Sequence, residues 1–110
     1  MVEKEGFCCP VHRAWELLGK RWTALIVRDL IGGKKRFGEL QKSLEGVSPR
    51  MLSQRLDELE DCGIVKREIY PEVPLRVEYS LTAKGRDLKR VIDGMATWGK
   101  KWLLKPSGTV

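Results

Sequence analysis

The side chains of this sequence that could do chemistry fall into three groups: thiols, one Arg/Gln/Ser helix face, and clusters of Lys and Arg. Cys8, Cys9 and Cys62 are the thiols, and His12 is the one histidine. An odd, irregularly spaced set of cysteines is not a secreted disulfide framework. Without a C-x-x-C pair, a single histidine leaves too few ligands for zinc, so no metal is expected. No nucleophile triad, paired acid/base carboxylates or Gly-rich phosphate loop occurs; Gly32-Gly33 reads as a helix stop. The expectation is a protein that is not an enzyme and carries no cofactor.

The second group lies in SPRMLSQRLDELEDCG, residues 48–63. Arg50 and Arg55 sit in its front half, and Asp57, Glu58, Glu60 and Asp61 in its back half. A helix dipole prefers the reverse, acids first and bases last. A local rule broken without a local gain tends to mark function. With Leu52, Leu56 and Leu59 turned inward, Arg50, Gln54, Asp57 and Asp61 face outward, with Ser53 to one side and Glu58 to the other. Arg can fork onto a guanine edge and Gln onto an adenine edge. Ser48, Ser53 and free amides at the helix start suit a phosphate. Arg55 has two readings: it faces the same partner, or it pairs with Glu58 one turn on.

The third group is the basic excess. The chain of 110 residues has a net charge of +6 and a pI near 9.4, which suits nucleic acid or an anionic surface. Residues 83–110 carry seven Lys/Arg against two Asp/Glu, whereas residues 48–63 carry two against four. The length fits a single domain over 1–110, with loose ends at 1–7 and 105–110. A domain this small is often completed by a partner subunit. No apolar run is long enough for a bilayer, and the N-terminus lacks a signal pattern. The expectation is a cytoplasmic protein without a membrane partner.

These groups need elements to hold them. Cys9-Pro10 starts a helix through Trp15 and Leu18 that stops at Gly19. Trp22, Leu25, Ile26 and Leu30 form a second helix ending at Gly32-Gly33. A basic turn, Lys34-Lys35-Arg36, leads to a short third helix on Phe37, Leu40, Leu44 and Val47. Ser48 caps the fourth helix and Pro49 is its first residue. Residues 64–70 and 76–81 read as strands, the second by alternation of Val77, Tyr79 and Leu81 with Arg76, Glu78 and Ser80. The prolines of PEVP make the stiff turn between them. Thr82 caps a last helix bearing Leu88, Val91, Ile92, Met95, Trp98, Trp102 and Leu103. Cys62, beside the stop at Gly63, reads as a small core filler.

Two short helices, a tight connection at Gly46-Val47-Ser48 and a capped helix make a helix-turn-helix pattern. The hairpin behind it is a wing. The fold class is thus mainly α with a small antiparallel β-hairpin. A recognition helix places its front residues at base edges, so the DNA-reading candidates are Ser48, Pro49, Arg50, Met51, Ser53, Gln54 and Arg55. Arg67 and Arg76 on the wing, and Lys34, Lys35 and Arg36 before the third helix, are phosphate or minor-groove candidates. Solvated surface is the alternative for both sets. Trp98, Trp102, Val91 and Met95 share a face of the last helix, and aromatics and Met are enriched in interfaces. Trp15 and Trp22 belong to the core or to that interface.

The chain resembles the HxlR-type winged helix-turn-helix regulators, relatives of the MarR-like group. The resemblance is carried by Cys9-Pro10, LLGKRWTALIVRDL (17–30), RFGELQKSLEGVSPRMLSQRLDELEDCGIVKR (36–67), YPEVPLRVEYSLTAKG (70–85) and Trp98-Gly99. It implies a homodimer on double-stranded operator DNA, with a recognition helix at 48–62, a wing at 64–81 and dimer contacts from the first and last helices. In some members a cysteine near the N-terminus senses oxidants or electrophiles. Cys9 is the matching position and the first redox-sensing candidate; Cys8 departs from the usual single cysteine and is the candidate second thiol, and an unreactive cysteine is the alternative. The start of a helix favours a thiolate, and Arg13 lies nearby. The effector, if any, is not legible. A winged-helix protein-interaction module that reads no DNA sequence is the alternative function.

Overall fold

A computed structural model describes residues 9–104. The expected loose ends, and Cys8, lie outside the described residues. The chain runs α1 (Pro10–Leu18), α2 (Thr23–Ile31), β1 (Lys35–Arg36), α3 (Phe37–Ser43), α4 (Pro49–Asp61), β2 (Val65–Tyr70), β3 (Arg76–Leu81), α5 (Ala83–Arg86) and α6 (Lys89–Trp102). It is a mainly helical winged helix-turn-helix.

The local signals explain most boundaries. Pro10 occupies the first turn of α1, where its missing N–H costs nothing. The Ser48 Oγ accepts the Met51 N–H at 3.0 Å, and Pro49 follows as the first residue of α4. At the other end Gly63 takes φ 77, the left-handed region that glycine enters without a Cβ penalty. Leu52, Leu56 and Leu59 turn inward from α4 onto Ile26, Val27 and Leu30 of α2, Leu40 and Leu44 beside α3, and Ile64, Val65 and Leu81 of the hairpin. This apolar cluster is the base on which the front of α4 stands.

The basic turn is partly strand. Lys35 and Arg36 pair antiparallel with Tyr79 and Glu78, giving a three-stranded sheet in the order β1-β3-β2. The central position of β3 also blurs the expected alternation. Of its residues only Leu81 is fully buried; the rest are half-buried, because long side chains cover both faces of this narrow sheet.

The last helix is two helices. The Thr82 hydroxyl accepts the Gly85 N–H at 3.1 Å and caps only the short α5. The Leu88 N–H then reaches the Gly85 carbonyl and the Val91 N–H the Leu88 carbonyl, each at 3.0 Å. These are i to i+3 turns, tighter than an α-helix. Gly85 permits the approach: a Cβ there would collide with the Ile64 carbonyl. Beyond this tight turn α6 packs on α2 through Ile92 and then runs out to an exposed end. Ile92 is its one buried residue among those described, and exposure climbs from 40% at Val91 through 48% at Met95 and 58% at Trp98 to 63% at Trp102.

Candidate nucleic-acid interface

The front of α4 presents a row of unengaged polar side chains. Arg50, Ser53, Gln54 and Asp57 are exposed, on the face opposite the leucine stripe. Neither Arg50 nor Gln54 makes a side-chain hydrogen bond or ion pair among the described residues. Ser48 and Pro49 are exposed at the cap, although the Ser48 hydroxyl is committed to Met51. Met51 is half-buried and packs against the core, so its side chain looks inward.

Arg55 is placed differently. Its Nε donates to the Arg21 carbonyl at 2.9 Å, and its Nη1 to both oxygens of Glu58 at 3.1 and 3.2 Å. Its side chain is 13% exposed, and Lys20 stands 3.6 Å from Glu58 on the far side. The local pair with Glu58 is present, and the contact to Arg21 had no signal in the sequence, since the partner is a carbonyl 34 positions away.

On the wing the candidate cations are largely paired. Arg76 stacks on the Tyr70 ring at 4.0 Å, directly opposite in the hairpin register. Its guanidinium donates to Glu72 at 2.7 Å and to Glu78 at 2.8 Å. The hydrogen bonds it donates to Glu72, then Glu78, raise its pKa further, and the Arg76 hydrogen bond holds Glu72 below the usual carboxylate range. Lys34 lies 3.1 Å from Glu68 and donates to the Tyr70 hydroxyl at 3.4 Å. The Glu68 hydrogen bond is the main cause of a raised Lys34 pKa, and Lys34 in turn lowers Glu68. Arg67 is 3.9 Å from Glu60, and burial pushes the pKa of the Tyr79 phenol up. Lys66, absent from the sequence candidates, is exposed and 3.9 Å from Glu68. Arg36 is exposed, with its backbone N–H held by Glu39 at 2.8 Å, and Lys35 is half-buried.

The interface candidates lie apart from this surface. Trp15, Val91, Met95, Trp98 and Trp102 are all exposed, as are Val11, Leu103 and Leu104. Val11, Ala14, Trp15, Leu18, Val91 and Met95 line an apolar cavity of about 330 Å³ between α1 and α6. Trp22 sits half-buried against the core. Cys9 is an exposed free thiol at the N-cap of α1. Cys62 is also exposed, which corrects the core-filler expectation. It caps the end of α4, past Leu59, where the inward stripe would next fall on Gly63; its carbonyl receives Lys84 Nζ at 2.7 Å.

The chain matches the model of the HxlR-like helix-turn-helix over residues 17–107. It is 46% identical over 102 residues to the HTH-type transcriptional regulator YvaP of Bacillus subtilis, covering 93% of this chain and 94% of that one. The B. subtilis regulator YodB is 42% identical over 103 residues, covering 94% and 91%. Among solved structures, the reduced form of YodB aligns with a TM-score of 0.75 at 43% identity, over 86% of this chain and 93% of that chain. The redox regulator HypR in its oxidized form aligns with a TM-score of 0.80 at 42% identity, over 84% and 96%. A helix-turn-helix, a wing behind it and relatives of this closeness over nearly the whole length lead to one conclusion: the chain belongs to the HxlR-like helix-turn-helix family of transcriptional regulators.

Proposed function

We propose that the protein reads operator DNA as a homodimer, with Arg50 and Gln54 as the base-contacting side chains of α4. The observation that carries this is their freedom. They project from the front of a firmly seated helix and have no partner among the described residues. The charge polarity of α4 fits a negatively charged groove at its front and solvent at its acidic back. Ser48, Pro49, Met51 and Ser53 shape the helix entry, while Lys35, Arg36, Lys66 and Arg67 lie toward phosphates. The exposed apolar side chains of α1 and α6, Trp15, Val91, Met95, Trp98 and Trp102, supply the face between the two copies. The task is binding, with no catalytic step, in the cytoplasm where the DNA is; among the described residues no helix is long and apolar enough to cross a membrane.

Selection of bound duplexes from a random pool tests the reading. A recovered sequence whose affinity falls steeply with salt, with a log–log slope of about −0.9 per phosphate neutralised, supports it. No enrichment and a flat salt response would sink it.

Cys9 is the proposed point of redox control. It is exposed at the start of α1, on the helix that also carries Trp15, and two relatives named above are described by their reduced or oxidized forms. Oxidation there would disturb α1 and the face between copies. Treatment with diamide or a quinone should change operator affinity of the native chain and leave Cys9→Ser unchanged. Equal responses of both proteins would exclude the role.

A further inference from the structure

We propose that Arg55 is a positioning residue: it fixes how the reading helix α4 sits on the α1–α2 turn, and so sets DNA specificity without touching DNA. This rests on the reading of α4 as the DNA-reading helix.

The guanidinium is engaged on two sides. Its Nε is taken by the Arg21 carbonyl at 2.9 Å and its Nη1 by the Glu58 carboxylate at 3.1 Å. A planar guanidinium fixes the angle between those donors, so the two acceptors hold it as a bracket. At 13% exposure the side chain lies between the buried leucine stripe and the turn, whereas Arg50 and Gln54 lie out in solvent. Lys20 extends the bracket, 3.6 Å from the same carboxylate.

The receiving turn is stiff. Gly19 lies under the Trp15 indole, where a Cβ would come within 2.5 Å of the ring. Trp22 takes φ 78, a left-handed conformation uncommon outside glycine. That angle sets the plane of the peptide joining residues 21 and 22, whose carbonyl Arg55 meets. The ladder of α2 begins one residue later, with the Ile26 N–H on the Trp22 carbonyl at 2.9 Å. Arg21 also stacks over the Trp22 ring at 4.9 Å, and Trp22 packs on the core. A rigid carbonyl outside the helical ladder is a fixed reference point. Rotation of α4 about its axis would move the Arg50 and Gln54 edges relative to the bases, and the bracket opposes that rotation.

The test uses the full chain and the duplex it selects, measuring cognate affinity, random-sequence affinity and their ratio. Arg55→Met and Glu58→Gln should each lower the ratio by roughly three- to thirtyfold. The double variant should fall no further than the worse single one, because both break the same bracket. A variant that is merely less stable lowers cognate and random binding together and leaves the ratio alone; that result overturns the proposal. So does a ratio that Glu58→Gln leaves unchanged while Arg55→Met alters preference at a single base pair, the mark of direct contact. If the native chain prefers no sequence, the DNA reading fails, and amide exchange of the free protein decides the bracket. Glu58→Gln should then speed exchange in both 20–24 and 50–58 while 65–81 stays as before. Faster exchange in α4 alone, or in neither segment, overturns it.

Discussion

The front of α4 and the wing carry similar residue types and treat them in opposite ways. On α4 the polar side chains are free and the support beneath them is dense: Leu52, Leu56 and Leu59 are at most 1% exposed. On the wing the support is thin, and the charges are consumed in pairs: Arg76 between Glu72 and Glu78, Arg67 near Glu60, and Glu68 with Lys34 of the turn before β1. Each surface pair stabilises little, since two long side chains must be held and water screens the charges. Together with the Tyr70 stack they nonetheless give a short hairpin a defined shape. A side chain that reads a partner must be available, and one that shapes an element must already be engaged. The Arg residues of this protein divide along that line, Arg50 on one side and Arg55 and Arg76 on the other.

The comparison can be broken in three places, the largest effect first. Leu56→Ala, beneath the reading helix, should cost about 2–5 kcal/mol in a denaturant melt, while Ile69→Ala on the wing stays within about 0.5 kcal/mol. Equal losses would show that the wing is as well founded as α4. Next, Arg50→Ala should weaken cognate DNA by about 1–3 kcal/mol and relax the base preference. A uniform loss on cognate and random duplexes would reduce Arg50 to a phosphate contact.

The smallest effect concerns acid. Glu72 and Glu68 have lowered carboxylate pKa values in the fold, by hydrogen bonds from Arg76 and Lys34 respectively. Their contribution is therefore complete above the unfolded value of about 4.3 and is lost as pH falls through the lower folded values. Lys34, raised, keeps its contribution up through about 10.4 and loses it only above that. Amide exchange after correction for intrinsic rates should show residues 65–81 loosening below about pH 4 before residues 49–61 do. Simultaneous loosening would mean that the carboxylate pairs do not hold the wing.

Much of this arrangement was legible in the sequence because it rests on nearest neighbours. Ser48-Pro49, the leucine spacing of α4 and the glycine stops act within a few residues, and the order helix-turn-helix then wing follows from them. What was not legible depends on partners far along the chain. Lys35-Arg36 became a strand only because β3 passes beside it. The last helix divided because Gly85 presses on the Ile64 carbonyl, a contact across 21 positions. Arg76 reads as an open wing cation until the register sets it opposite Tyr70. Cys62 looked apolar by type, and its place one step past the inward stripe decided otherwise.

The rising exposure along α6 has a mechanical meaning. With Ile92 as its buried anchor, the helix continues about 15 Å to Trp102 at 1.5 Å per residue. It behaves as a lever: a tilt of about 10° at the anchor swings the indole by about 2.6 Å over that length. The tight turn at Gly85–Leu88 is the fulcrum's mount, bonded through Thr82 to the Gly63 and Ile64 carbonyls beyond the end of α4. A small angular change at the mount is therefore felt, magnified, at the indole.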